Sequence, residues 1–402
     1  MLTTKPLVGV TGTNGKTTTL LILNFILQQC GLKPLILNAE KIPPDLENNG
    51  QINDCFLMEI TVEALRRKKL AHFSFDCGAF TNLTLDHLAS CRTAKHYLSY
   101  KAQLLQQLAP GAKAIINADD GQALSLAQKE DIEYITYATR YPNAMVVAKN
   151  IQQCLWYTKF TLEVTAEFKS LTNQIIKPGS ACIKFSLLGE HNVANAVLAA
   201  SLALLFIPDL DAIAQALCKF PRLRRTMEVI NDSPLTIIDD AARNTAALQA
   251  ALAAAQALKA PRILLLHGIY GGGGVVMNRN NARALCHWLL KYPENHLYLT
   301  RSMHHTRKKH QVRLHEEKAF LAELKQHGLQ FAYFPDLPDA IEGVLSRAQK
   351  GDLILLLGGP VLKHAHEIIV NSLNINPLFY QQPILSPWPE IKDKQALIYN
   401  PS

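Results

Sequence analysis

Residues 11–19 read TGTNGKTTT, directly after the apolar run Leu7–Val10. The spacing predicts a buried strand, a tight loop, and a helix from Lys16 to about Cys30. Gly12 and Gly15 let the backbone fold so that the N–H groups of Thr13, Asn14 and the first helical turn, including Thr18, converge on one anion. In such a cradle Lys16 reaches the outer phosphates, and the Thr17 hydroxyl is suited to Mg²⁺. The strict GxxxxGK[ST] spacing fails at its first position, where Val10 stands. A loop of this kind serves kinases, GTPases, motors and ligases alike, so it leaves the reaction open.

Three further positions narrow the chemistry. Glu59 closes the apolar stretch Cys55–Met58. An acid at the carboxyl end of a parallel strand faces the ligand crevice and can bind a metal, or it can cap the next helix. Asp86 and His87 are adjacent in TNLTLDHL, residues 81–88, which reads as a loop. Lys101 follows 14 residues after His87, inside the amphipathic stretch HYLSYKAQLL. On its own it reads as a surface lysine.

The elements that must hold these residues alternate. Leu7–Val10, Pro34–Leu37, Cys55–Met58, Phe73–Phe80 and Ala112–Ile116 read as strands, and stretches near 61–70 and 92–109 as helices. That alternation implies an α/β domain with a parallel sheet. Residues 143–187, rich in β-branched and aromatic types, read as antiparallel hairpins appended to it, followed by an apolar helix from His191 to about Phe206. We expect a boundary near KFPRLRRT, which divides the chain into 1–223 and 224–402. Beyond it, Thr236–Ile238, Ile263–Leu266, Leu297–Leu299, Phe331–Tyr333 and Leu353–Leu357 read as the strands of a smaller, Rossmann-like domain. The last 25 or so residues, rich in proline, are expected to wrap the surface.

The 402 residues carry a formal charge of +8, from 41 basic and 33 acidic side chains. That mild excess suits an anionic small molecule and does not call for nucleic acid. The eight cysteines show no CxxC spacing, so a zinc ribbon is not expected. There is no signal-peptide layout and no apolar stretch long enough for a bilayer, so we expect a cytoplasmic protein without a membrane partner.

Taken together, GTNGKT, then MEITVEAL, FTNLTLDHL and HYLSYK, resemble the Mur ligases, and among them the UDP-N-acetylmuramyl-tripeptide synthetases. IINADD at 115–120 and LLGEHNVANAVLAA at 187–200 continue the resemblance, which is clear over about 6–230 and weaker beyond. It implies an ATP- and Mg²⁺-dependent ligase that joins a small-molecule or peptide carboxylate to an amine or amino acid through an acyl phosphate. It implies that Thr17 holds one Mg²⁺ while Glu59 and His87 hold a second, and that Lys101 is carbamylated. Asn195 would contact adenine, and Asp240 the ribose or phosphates.

The chain also departs from the family. Asp239-Asp240-Ala-Ala-Arg243-Asn244-Thr245 stands for DDYAHNP, with arginine in place of histidine. His267 to Arg279, with glycine at 271–274, replaces the run GCGGDRDKGKR. Thr226 precedes the ME dipeptide in place of arginine, and the basic run Thr300–Lys309 stands where DNPR is expected. With five residues before the first strand, we expect no UDP-binding N-terminal domain, so either the acceptor differs or a protein partner supplies that surface. The alternatives are an ATP-binding pseudoenzyme that scaffolds a partner and a kinase that releases its phosphorylated product.

Overall fold

The computed structural model describes residues 5–42, 52–84, 93–130, 132–374 and 384–385. Its larger sheet is built on β1 (Leu7–Thr11), whose five residues are all buried. A strand covered on both faces reads as a continuous apolar run, which is why this one was legible. Around it lie β2 (Pro34–Asn38), β3 (Cys55–Glu59), β4 (Phe75–Phe80), β5 (Leu108–Asn117), β6 (Tyr134–Ala138) and β7 (Val146–Cys154), parallel in the order 2-3-1-4-5-6-7. The chain turns from one side of β1 to the other at β4, which makes a switch-point crevice at the carboxyl end of β1. β8 (Tyr157–Val164) runs antiparallel to β7. β9 (Phe168–Lys169) and β10 (Ile175–Ile176) form a small ribbon. β11 (Gly179–Phe185) closes the sheet edge antiparallel to β8. The hairpins expected over 143–187 are therefore present, and they are continuous with the parallel sheet through β7.

Helices cover both faces. α1 (Lys16–Gln29) is joined on its face by α5 (Glu190–Leu204) and α6 (Leu210–Cys218), which bury an apolar cluster against the sheet. The opposite face carries α2 (Val62–Arg66), α3 (Ala94–Gln106) and α4 (Gly121–Lys129). α5 is buried almost all round, which explains its lack of a polar stripe. α4 and β6 went unread in the sequence. The helix buries only the small residues Ala123 and Ala127, and its start is set by Asp120, whose side chain accepts from the backbone N–H of Gln122 and Ala123.

A link through β12 (Arg222–Leu223) leads to a second sheet. There β13 (Glu228–Asn231) pairs antiparallel with β14 (Thr236–Asp240). β14, β18 (Leu353–Leu357), β15 (Ile263–Gly268), β16 (His296–Thr300) and β17 (Ala332–Phe334) run parallel in that spatial order. α7 (Thr245–Gln256), α8 (Gly274–Lys291) and α9 (Leu314–Gln326) pack on one face. α10 (Leu337–Leu345) and α11 (Ala365–Ser372) pack on the other. This is the smaller doubly wound domain that the spacing predicts. The backbone of β19 (Ile384–Leu385) pairs with β12, so this part of the C-terminal region returns to the link between the sheets. Beside it the Arg222 guanidinium lies over the Trp156 ring at 4.3 Å.

His267, at the carboxyl end of β15, is 1% exposed and stacks on Phe320 with ring centroids 5.5 Å apart. Burial pushes its imidazole down to about 4. The unfolded chain therefore binds a proton between pH 6.5 and 4 that the folded chain refuses. Stability from this group is complete above pH 6.5 and is lost as pH falls toward 4, at up to about 1.4 kcal/mol per pH unit. In urea unfolding between pH 4.5 and 7, His267→Leu should show a shallower rise with pH than the parent, by as much as one proton. Parallel curves for the two proteins would contradict this assignment.

Candidate active site

The loop after β1 is shaped by a second segment as much as by its own glycines. Thr13 N–H donates to the Asn82 carbonyl at 2.9 Å, and Asn14 N–H to Asn82 Oδ1 at 3.0 Å. The Thr81 hydroxyl donates to the Asn14 carbonyl at 2.6 Å. Thr13 Oγ1 lies 2.9 Å from the Thr84 carbonyl and 2.8 Å from the Tyr97 hydroxyl. Residues 81–84 thus mould the loop from the end of β4, a task that sequence reasoning did not assign to them. Gly15 adopts φ +83°, and a Cβ there would lie 2.2 Å from Asn195 Oδ1. Only glycine meets both demands. Asn195, on α5, is accordingly pressed against the start of α1, with Thr19 Oγ1 at 3.5 Å. Thr18 sits half-buried in the first turn of that helix.

Lys16 folds back over the loop and donates to the carbonyls of Gly12 at 2.9 Å and Thr13 at 3.0 Å. Its ammonium is held below the usual lysine range, first by burial, with Glu59 pulling it up and Arg243 pushing it further down. The Thr17 hydroxyl donates to Glu59 Oε2 at 2.7 Å. Glu59 is the last residue of β3 and is 9% exposed, so the strand delivers its carboxylate to the loop. A hydroxyl and a carboxylate this close form a hard-oxygen pair that fits Mg²⁺. Asp86 and His87 lie outside the described residues, and among those described there is no cluster of three His, Cys, Asp or Glu side chains placed to hold a metal.

Lys101 is not a surface lysine. It is 1% exposed and donates to Thr11 Oγ1 at 2.6 Å and to the Gly12 carbonyl at 3.2 Å. α3 carries it beneath the loop from the face opposite α1. The Thr11 hydroxyl in turn donates to the Ile60 carbonyl at 3.0 Å, which joins β1, β3 and α3 at one point.

The second domain meets this loop directly. Asn14 Nδ2 donates to Asn244 Oδ1 at 3.1 Å, and Asn244 Nδ2 donates back to Asn14 Oδ1 at 2.8 Å. Asn244 also caps α7 by accepting from Ala247 N–H at 3.0 Å. Asp240 is committed locally. Its oxygens accept from the backbone N–H of Met227 and Ala242, both at 2.8 Å, and burial pushes its carboxyl up to about 7. Arg225 turns away from the loop and binds the buried Asp239 at 2.9 Å.

The glycines at 271–274 also look like an anion cradle, and here an internal carboxylate fills it. Glu316 Oε1 accepts from Gly274 N–H at 2.8 Å and Gly272 N–H at 3.3 Å, while its Oε2 accepts from Arg313 N–H at 2.9 Å. A Cβ at Gly271 would lie 1.9 Å from the Gln311 carbonyl, so glycine is required for this close approach. The neighbouring basic run is partly spent too. Arg301 pairs with Glu317 at 3.5 Å, and His304 and His305 lie 2.9 and 3.1 Å from Asp336.

A glycine-containing strand–loop–helix turn on one doubly wound domain, met by the capping residue of a helix of a second, defines a two-domain α/β protein. Family comparison agrees: the Mur ligase middle domain matches residues 10–203, and the Mur ligase glutamate ligase domain matches residues 224–359. The chain belongs to the Mur ligase family. It is 29% identical over 290 residues to the UDP-N-acetylmuramoyl-L-alanyl-D-glutamate–2,6-diaminopimelate ligase 2 of Clostridium acetobutylicum, covering 66% of this chain and 56% of that one. Against the corresponding ligase of Geobacter metallireducens the figures are 28% over 296 residues, 66% and 55%. The chain thus spans about half the length of these curated relatives. Its fold is shared with MurF from Acinetobacter baumannii (TM-score 0.70, 17% identity, 92% of this chain and 76% of that). It is shared also with a pseudomurein peptide ligase type C from Methanothermus fervidus (0.67, 21%, 92% and 79%). A third neighbour is the Thermotoga maritima MurF ligase in complex with ADP (0.69, 14%, 92% and 81%).

If Glu316 fills the second cradle as described, Glu316→Ala leaves three backbone donors without their acceptor. It should destabilise the C-terminal domain by about 1–3 kcal/mol in thermal or urea unfolding, and Glu316→Gln by less. Unchanged stability in Glu316→Ala would show that these N–H groups do not depend on the carboxylate.

Proposed function

We propose that this chain is an ATP-dependent ligase that joins a carboxylate to an amine through an acyl phosphate. The observation that carries this reading is Lys101, buried and bonded to Thr11 and Gly12 directly beneath the phosphate loop, close to the Thr17–Glu59 pair. A loop that only bound nucleotide would have no need of a second buried lysine there. In this reading Gly12 to Thr18 cradle the phosphates, Lys16 neutralises the outer ones, and Asn195 borders the nucleotide. Bound Mg²⁺, held by Thr17 and Glu59 with His87, would supply charge neutralisation for phosphoryl transfer. A carboxylate oxygen attacks the γ-phosphorus as its bond to ADP breaks. The amine then attacks the acyl carbon, and phosphate leaves with an oxygen of the carboxylate. Asp240, held by the backbone N–H groups of Met227 and Ala242, would border the ribose or phosphates of the nucleotide.

The relatives named above suggest a peptide-bearing carboxylate and an amino acid as substrates. We place the division of labour at residues 223/224 and the protein in the cytoplasm. Lys101 as a carbamate would turn the buried cation into an anion facing the metal, a change that needs the neutral amine.

ADP release from ATP with Mg²⁺, bicarbonate and pooled carboxylates and amino acids, with free phosphate followed beside it, tests the reading. Turnover should require both pools, and Lys16→Ala should lower it by roughly 10²–10³. Turnover with the carboxylate alone would mean a kinase, and binding without turnover a scaffold. A separate check uses ¹³C-bicarbonate. The native protein should show a carbamate carbon resonance that Lys101→Arg lacks. An identical spectrum from both would remove the carbamate from the account.

A further inference from the structure

Arg243 has entered so far only as a charge that lowers the pKa of Lys16. It stands where the family pattern calls for histidine, and it is exposed. Among the described residues its side chain makes no hydrogen bond or ion pair, while its carbonyl accepts from Asn281 Nδ2 at 3.0 Å. Its backbone is fixed nonetheless. The next residue, Asn244, is tied to Asn14 of the phosphate loop by two hydrogen bonds of 2.8 and 3.1 Å. Its stem runs along Gly359, where an added Cβ would come within 3.2 Å of Arg243 Cβ and 3.8 Å of its Cδ. The Gly359 carbonyl is itself held by Arg225.

This arrangement brings a guanidinium of one domain toward the loop lysine of the other. Its charge is felt at both Lys16 and His310. Bringing like charges together costs energy unless an anion lies between them. The reciprocal amide pair leaves little freedom to avoid that cost, because Asn14 is anchored by Thr81 and Asn82 and Asn244 by the cap of α7. A planar fork of donors suits phosphoryl oxygens, and an arginine keeps its charge at every physiological pH.

We propose that Arg243 binds the terminal phosphoryl oxygens of the nucleotide held at Lys16, and that the Asn14–Asn244 pair sets its register. The proposal rests on the nucleotide-binding part of the reading above. It makes the second domain a direct contributor to the phosphate site, by a group that the family pattern does not supply.

Titration calorimetry on the full chain with Mg²⁺ tests it, using ADP and the non-hydrolysable β,γ-imido analogue of ATP. Arg243→Ala should weaken the analogue roughly 10- to 100-fold and ADP by less than about threefold. Arg243→Lys should recover part of the loss. Asn244→Asp keeps the acceptor that caps α7 and removes the amide donor to Asn14, so it should show the same selective loss with an unchanged unfolding temperature for that domain. Equal affinities for wild type and Arg243→Ala, or an equal loss for both nucleotides, would overturn the assignment. If neither nucleotide binds wild type, or if Lys16→Ala binds both as wild type does, the nucleotide reading fails and this proposal with it.

Discussion

Lys16 is a cation whose ammonium is bonded to two backbone carbonyls, in a loop too crowded for water to compensate it fully. The rest of the site follows from that constraint. An ammonium in such surroundings is costly unless a negative charge is near. Glu59 supplies part of that charge from the end of β3, and its carboxylate is shared with the Thr17 hydroxyl. Three strand ends and two helices must therefore meet at one point, and the parallel order 3-1-4 at the centre of the sheet brings them there.

The two domains solve different problems with similar parts. Each has a glycine-containing turn leading from a buried strand into a helix. In the first, the turn is held open from outside by residues 81–84 and by Asn195, so that its concave side faces the crevice. In the second, Glu316 enters the turn and caps its donors. The second cradle is thus closed by the chain itself. The link between the domains is stiffened by Arg225, which joins Asp239 and the Gly359 carbonyl. The Asn14–Asn244 contact then sets how the second domain faces the first.

Much of this was legible in the sequence. The phosphate loop, its strand and its helix are local features, and so are the hairpins after residue 143 and the second set of strands. Glu59 was readable because a lone acid ending an apolar run is unusual. Lys101 was not readable from pattern alone. Its stretch has the spacing of an amphipathic helix, and only the fold shows that the lysine lies on the inner face. The work of Thr81 and Asn82 was hidden because their side chains bind the backbone of a segment some 70 residues away. The role of the glycines at 271–274 was not readable either, because the carboxylate that meets them comes from Glu316, about 40 residues later. Asp240 shows a similar limit, because burial and two backbone donors decide its behaviour and neither is visible in the motif.

The central claim is that the carboxylate is activated by phosphorylation before the amine attacks. The most direct measurement follows an ¹⁸O label from the acceptor carboxylate during turnover with ATP, by ³¹P NMR of the released phosphate. An acyl phosphate predicts that each phosphate formed with amide product carries a single ¹⁸O from the acceptor. Amide formation accompanied by unlabelled phosphate would contradict it.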